Sequence, residues 1–142
     1  MVRIFLFLIA LMGAANAQTS FTADGKINVF STIITASNTA SVVTTRPATV
    51  YGVDVSNTNG TIAFLKLYNA ATATCGSGTP VARYLIPATI SGAATSYSNT
   101  NGDAYVNGLT ICVVTGISDG NTVAPAAGAG TVNIHWKNSV SP

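Results

Sequence analysis

The chain has 142 residues; 48% are hydrophobic, only 7% are charged, and six Lys and Arg stand against four acidic residues. That length suits one domain with one core, and the apolar share excludes a disordered acidic or basic tail. A formal charge of +2, spread singly along the chain, excludes a nucleic-acid footprint.

Residues 1–17 read as a cleavable export signal. Arg3 precedes an apolar run over residues 4–12, and Ala15-Asn16-Ala17 fits the small-residue cleavage pattern. The run is too short for a bilayer core, which needs about twenty apolar residues. The remaining residues, 18–142, are expected to form a single exported domain, periplasmic or extracellular, with no stable membrane span after cleavage. Export gives weight to the two cysteines, Cys75 and Cys112, which are expected to join in a disulfide. Two Cys and the lone His135 offer too few soft ligands for a metal site, so neither metal nor cofactor is expected.

Beyond residue 17 there are 13 Val, 9 Ile and 20 Thr, but only four Leu and no Glu. Branching at Cβ suits a pleated surface, and the usual residues of a helix surface are scarce. The predicted strands, in order, are residues 26–35, 41–45, 49–56, 61–68, 81–86, 109–115 and 131–137. In 49–56, alternation sets Tyr51, Val53 and Val55 on one side, with Gly52 and Asp54 on the other. In 131–137 it sets Val132, Ile134 and Trp136 on one side, with Asn133, His135 and Lys137 on the other. Residues 61–68 are apolar on both faces, as in a central strand. The pentapeptide Ser-Asn-Thr-Asn-Gly occurs twice, at 56–60 and 98–102, and reads as two similar turns. The class is therefore all-β: an antiparallel β-sandwich, jelly-roll or immunoglobulin-like, of about seven to eight strands.

No chemistry stands out. The four Asp residues are isolated in sequence, no G-x-S-x-G marks a nucleophile, and no Gly-rich loop has phosphate-binding spacing. No catalytic residue is assigned, and the chain is not expected to be an enzyme. Clustered oxygen ligands at Asn99-Thr100-Asn101-Gly102-Asp103 and Asp119-Gly120-Asn121-Thr122 lack the paired carboxylates of a calcium loop and are explained as turns. Five Tyr and one Trp could supply a stacking surface, with Tyr105 and Trp136 the candidate pair for a glycan or other ligand.

Several pieces of residues 51–137 carry a resemblance. They are Leu67-Tyr68-Asn69 followed by Gly78-Thr79-Pro80-Val81; Gly108-Leu109-Thr110-Ile111-Cys112-Val113; Asp119-Gly120-Asn121-Thr122; and Thr131-Val132-Asn133-Ile134-His135-Trp136-Lys137. In order and spacing this stretch resembles small β-sandwich proteins of tailed bacteriophages and prophages. The resemblance implies a virion accessory role, as a decoration or fibre-associated module without enzymatic activity, and carries over no functional residue. The export signal departs from that pattern and points to an exported relative as well. The leading expectation is thus a non-catalytic structural or interaction module that associates with itself or with a protein partner. An exported glycan- or ligand-binding module is the alternative.

Overall fold

Runs rich in Val, Ile and Thr become strands because a branched side chain keeps its preferred rotamer on a pleated backbone. The computed structural model describes residues 18–19, 27–35, 37–89, 91–126 and 130–139. The expected signal, residues 1–17, lies outside the described residues. The strands are β1 (Gln18–Thr19), β2 (Asn28–Ile33), β3 (Ser41–Thr44), β4 (Ala48–Asn57), β5 (Ala63–Tyr68), β6 (Ala82–Ile86), β7 (Ala94–Tyr105), β8 (Leu109–Val114) and β9 (Gly130–Asn138). Among the described residues there is no helix.

One sheet has the order β1-β2-β9-β4-β7, the other β3-β8-β5-β6, and all pairs are antiparallel. The pairs β5–β6, β4–β7, β3–β8 and β2–β9 are nested like the rungs of one long hairpin whose tip is the β5–β6 connection. Rolling that ribbon up creates the remaining β4–β9 and β5–β8 pairings. Eight strands so arranged make a jelly roll. The immunoglobulin-like alternative is excluded, because β2, β3, β4 and β5 cross from sheet to sheet at every step rather than pairing with the next strand in sequence.

The core fills the space between the sheets. Phe30, Val50, Val53, Val55, Leu65, Leu67, Ile86, Leu109, Ile111, Val132, Ile134 and Trp136 are all essentially inaccessible. Each comes from the inward row of its strand, so burial follows the period of two.

β7 was not expected as a strand. Its second Asn-Gly, read as a tight hairpin turn, is instead an excursion within the strand. β4 spends one residue between Val50 and Gly52, whereas β7 spends four between Asp103 and Ser98. Locally the two pentapeptides do behave alike. The Asn57 side-chain oxygen accepts from the Asn59 amide at 2.9 Å, and Asn99 accepts from Asn101 at 3.1 Å. The first copy ends β4 while the second bulges β7. Gly102 sits at φ 73° against Thr49 and Tyr51, a conformation and a gap that a side chain would not fit. The β4 bulge also corrects the face of Tyr51, which joins Gly52 and Asp54 on the outside while Val53 and Val55 point in.

Candidate functional site

The two outer faces of the sandwich are unequal. On the four-stranded sheet, the outward residues Lys66, Thr110, Cys112 and Val114 are 0–1% exposed, and Tyr68 is 4% exposed. Two loops roof them. The β5–β6 loop is pinned by the Cys75–Cys112 disulfide, which packs on Tyr68, Ala40 and Ala73. Its first residues are stitched down where the Thr110 hydroxyl donates to the Ala70 carbonyl at 2.8 Å and the Asn107 amide donates to the Asn69 side chain at 2.8 Å.

The second roof, the β8–β9 loop, is pinned by a buried lysine. Lys66 Nζ donates to the carbonyls of Ser118 at 2.6 Å, Asp119 at 3.3 Å and Asn121 at 3.3 Å. A fully buried ammonium needs such partners, since its hydration is gone. Burial pushes the Lys66 pKa down, with the Asp119 charge opposing and Arg83 assisting. The Asp119 carboxylate is engaged by the Arg83 guanidinium, whose Nε lies 3.0 Å away. The turn weighed as a calcium loop therefore aims its carbonyls at a cation of the chain's own. Sequence reasoning missed Lys66 because it sits in a strand with apolar residues on both faces.

The outer face of the five-stranded sheet carries no such roof among the described residues. It presents Val29, Ser31 and Ile33 from β2, Thr131, Asn133, His135 and Lys137 from β9, Thr49, Tyr51, Asp54 and Ser56 from β4, and Ser96 and Ser98 from β7. His135 Nε2 and Asp54 Oδ2 are 2.6 Å apart, with side chains 33% and 37% exposed. The Ser96 hydroxyl donates to Asp54 as well. That bond, then the His135 contact, holds the Asp54 carboxyl below its ordinary value. Around this trio, the Lys137 ammonium lies 5.4 Å from the Tyr51 ring centre, and hydroxyl pairs join Thr49 to Ser139 at 2.8 Å and Ser56 to Thr131 at 3.0 Å.

Comparison of the chain with protein-family models, curated proteins and solved structures finds no match.

The residues singled out from the sequence fall in three places. Cys75 and Cys112 are bonded as expected. His135 lies on the rim face with Asn133 and Lys137, as alternation requires. Tyr105 and Trp136 are the correction: both are 0% exposed and belong to the core, so neither forms a ligand surface. Trp136 points inward between Asn28 and Val50, and Tyr105 pairs with Ala48 at the end of the β4–β7 ladder. Alternation had grouped Trp136 with Val132 and Ile134 correctly, but that row faces the other sheet. The remaining tyrosines make no platform either. Tyr84 and Tyr97 pack with ring centres 5.0 Å apart in the seam between β6 and β7, and Tyr51 is the one described aromatic on the open face. A cleft of about 470 Å³ lies within the β5–β6 loop, lined by Tyr68, Asn69, Thr72, Thr74, Ser77 and Thr79 among others, and none of its lining residues is charged.

Tyr105 also carries a stability prediction. Its hydroxyl is buried with no hydrogen-bond partner. Burial, then the nearby Tyr84 and Asp103, raise its pKa well above 10.0. The unfolded chain thus releases this proton near pH 10 and the folded chain only later. Its contribution is complete below pH 10 and is lost as pH rises beyond. Tyr105→Phe is expected to raise unfolding free energy at pH 7 by about 1–2 kcal/mol, by removing an unpaired buried hydroxyl. It is also expected to flatten the alkaline decline. Urea unfolding at pH 7 and pH 11 checks both, and a destabilised Phe variant at pH 7 would contradict the account.

Proposed function

We propose that the protein is a non-catalytic interaction module, of the virion-accessory type or an exported relative of it, that works by associating through its five-stranded sheet. The observation that carries this reading is the inequality of the two outer faces. One is sealed by a disulfide and a buried lysine, while the other keeps a polar, hydrogen-bonded surface within reach of a partner. The order of the polar trio supports the absence of catalysis. In a nucleophilic triad the imidazole stands between hydroxyl and carboxylate. Here the carboxylate of Asp54 stands between Ser96 and His135, so the imidazole does not face the serine hydroxyl. The disulfide is compatible with export to an oxidising compartment. Jelly rolls serve in capsids and lectins alike, so the fold by analogy admits a virion role without requiring it. Size-exclusion chromatography with light scattering tests the reading. The purified protein is expected to run above its monomer mass at micromolar concentration, and a strict monomer would count against it.

A further inference from the structure

We infer that the cleft in the β5–β6 loop is a binding site for a neutral, polyhydroxylated ligand of the size of a sugar residue, with the Tyr68 hydroxyl as the buried end of its polar lining. The site lies in the roof of the four-stranded sheet, apart from the open face on which the interaction reading rests.

Two independent observations meet here. The first is the cleft itself, whose volume of about 470 Å³ lies within the range of small-molecule sites. Its walls are tied in place. The Cys75–Cys112 disulfide fixes the loop to β8, the Ser77 amide donates to the Thr74 carbonyl at 3.0 Å, and the Val81 amide donates to the Leu67 carbonyl at 2.8 Å. A loop ordered in advance spares a ligand the cost of ordering it. The second observation is Tyr68. It lines the cleft from the sheet beneath, is 4% exposed, and has a hydroxyl buried with no hydrogen-bond partner. An unpaired buried hydroxyl is a cost to the fold, and a ligand group that pairs with it recovers that cost. The hydroxyl of Tyr105 is also unpaired, but it belongs to the core between the sheets, whereas Tyr68 stands at a cleft.

The lining decides the class of ligand. Thr72, Thr74, Ser77 and Thr79 set hydroxyls around the cleft, and all four residues are exposed. A hydroxyl both donates and accepts, so its best match is a group that does both, as the hydroxyls of a sugar do. No lining residue is charged. A phosphate or carboxylate would find no cation there, and an ammonium would find no carboxylate. An apolar ligand would leave the Tyr68 hydroxyl unpaired and cover the hydroxyls of the rim. The Tyr68 hydroxyl is shielded from water, so a ligand must part the lining side chains to reach it, and the bond made there counts for more than one at the rim.

Titration with galactose and with N-acetylglucosamine, followed through backbone amide chemical shifts, tests the site. At least one of the two is expected to give saturable shifts confined to residues 68–81. Tyr68→Phe is expected to weaken that binding roughly five- to tenfold. The same variant is expected to keep or raise the thermal midpoint of the free protein, because it removes an unpaired hydroxyl. Thr79→Val, at an exposed position, is expected to weaken binding by a smaller factor. Glucuronate, a charged counterpart, is expected to bind no tighter than the neutral sugars. No saturable shift with either neutral sugar, shifts centred instead on the open face around Tyr51, or unchanged affinity in the Phe variant would each overturn the site. A lowered midpoint in the Phe variant would show the hydroxyl to be paired within the fold and would overturn its role. Tighter binding of glucuronate would overturn the neutral class. None of these outcomes touches the oligomeric state, so the interaction reading stands or falls separately.

Discussion

Replacing Cys75 and Cys112 by Ala is expected to remove about 4 kcal/mol of stability and to lower the thermal midpoint by roughly 10–20 °C. The bond joins residues 37 apart, so it restrains a long stretch of the unfolded chain, and the entropic gain grows with the logarithm of that length. Its position adds to the length effect. Cys75 lies in the loop at the tip of the rolled ribbon and Cys112 lies on β8, so the bond fixes the tip loop onto the strand that pairs with β5 once the ribbon is rolled. Jelly-roll pairings join residues far apart in sequence, and this covalent contact removes part of the closure cost that they must otherwise meet. Cys112 is 1% exposed and Cys75 6%, so the Ala variant also empties part of the small cluster with Tyr68. Thermal unfolding of wild type with and without reductant, beside the double Ala variant, reads the effect. Equal midpoints in all three samples would show that the bond does not constrain the fold. Faster amide exchange confined to residues 69–81, with no change in midpoint, would assign it to the loop alone.

What the sequence makes legible here is period and composition. Apolar, β-branched runs bounded by turn residues located β2, β3, β4, β5, β6, β8 and β9 to within a few residues, and alternation sorted the faces of β9 and most of β4. β7 was hidden because it is a sheet edge whose polar outer row and turn-forming Asn-Gly look the same as a loop. The disulfide could be read by counting, since there was no third cysteine to compete. Strand order could not, because nested pairing depends on which rungs close when the ribbon rolls up. The polar site failed for the same reason. Asp54 and His135 are 81 residues apart and meet only through the β4–β9 pairing that rolling creates. Alternation likewise separates the two faces of β9 but does not say which one meets the core, so Trp136 was offered as a ligand surface, while Tyr105 was misplaced because β7 was not read as a strand.

Lys66→Ala is expected to cost about 3 kcal/mol, combining a cavity with the loss of charge-assisted bonds to the Ser118, Asp119 and Asn121 carbonyls. Lys66→Met separates the two contributions. Methionine refills most of the stem volume, so what it loses is the tether, about 2 kcal/mol. In the Met variant residues 115–126 should lose amide protection first, because those carbonyls can regain partners only by lifting toward water. Arg83 and Asp119 cannot compensate, since that pair is partly exposed and such pairs contribute little. The pH dependence gives a second check. Burial makes the folded ammonium release its proton at lower pH than the unfolded chain does. Wild type therefore gains stability as pH climbs from the folded value toward 10.5, and the Met variant lacks that gain. A Met variant with wild-type stability and an equally protected loop would mean that the roof of the four-stranded sheet is held by its apolar contacts. The distinction between a sealed face and an open one would then owe nothing to the buried charge.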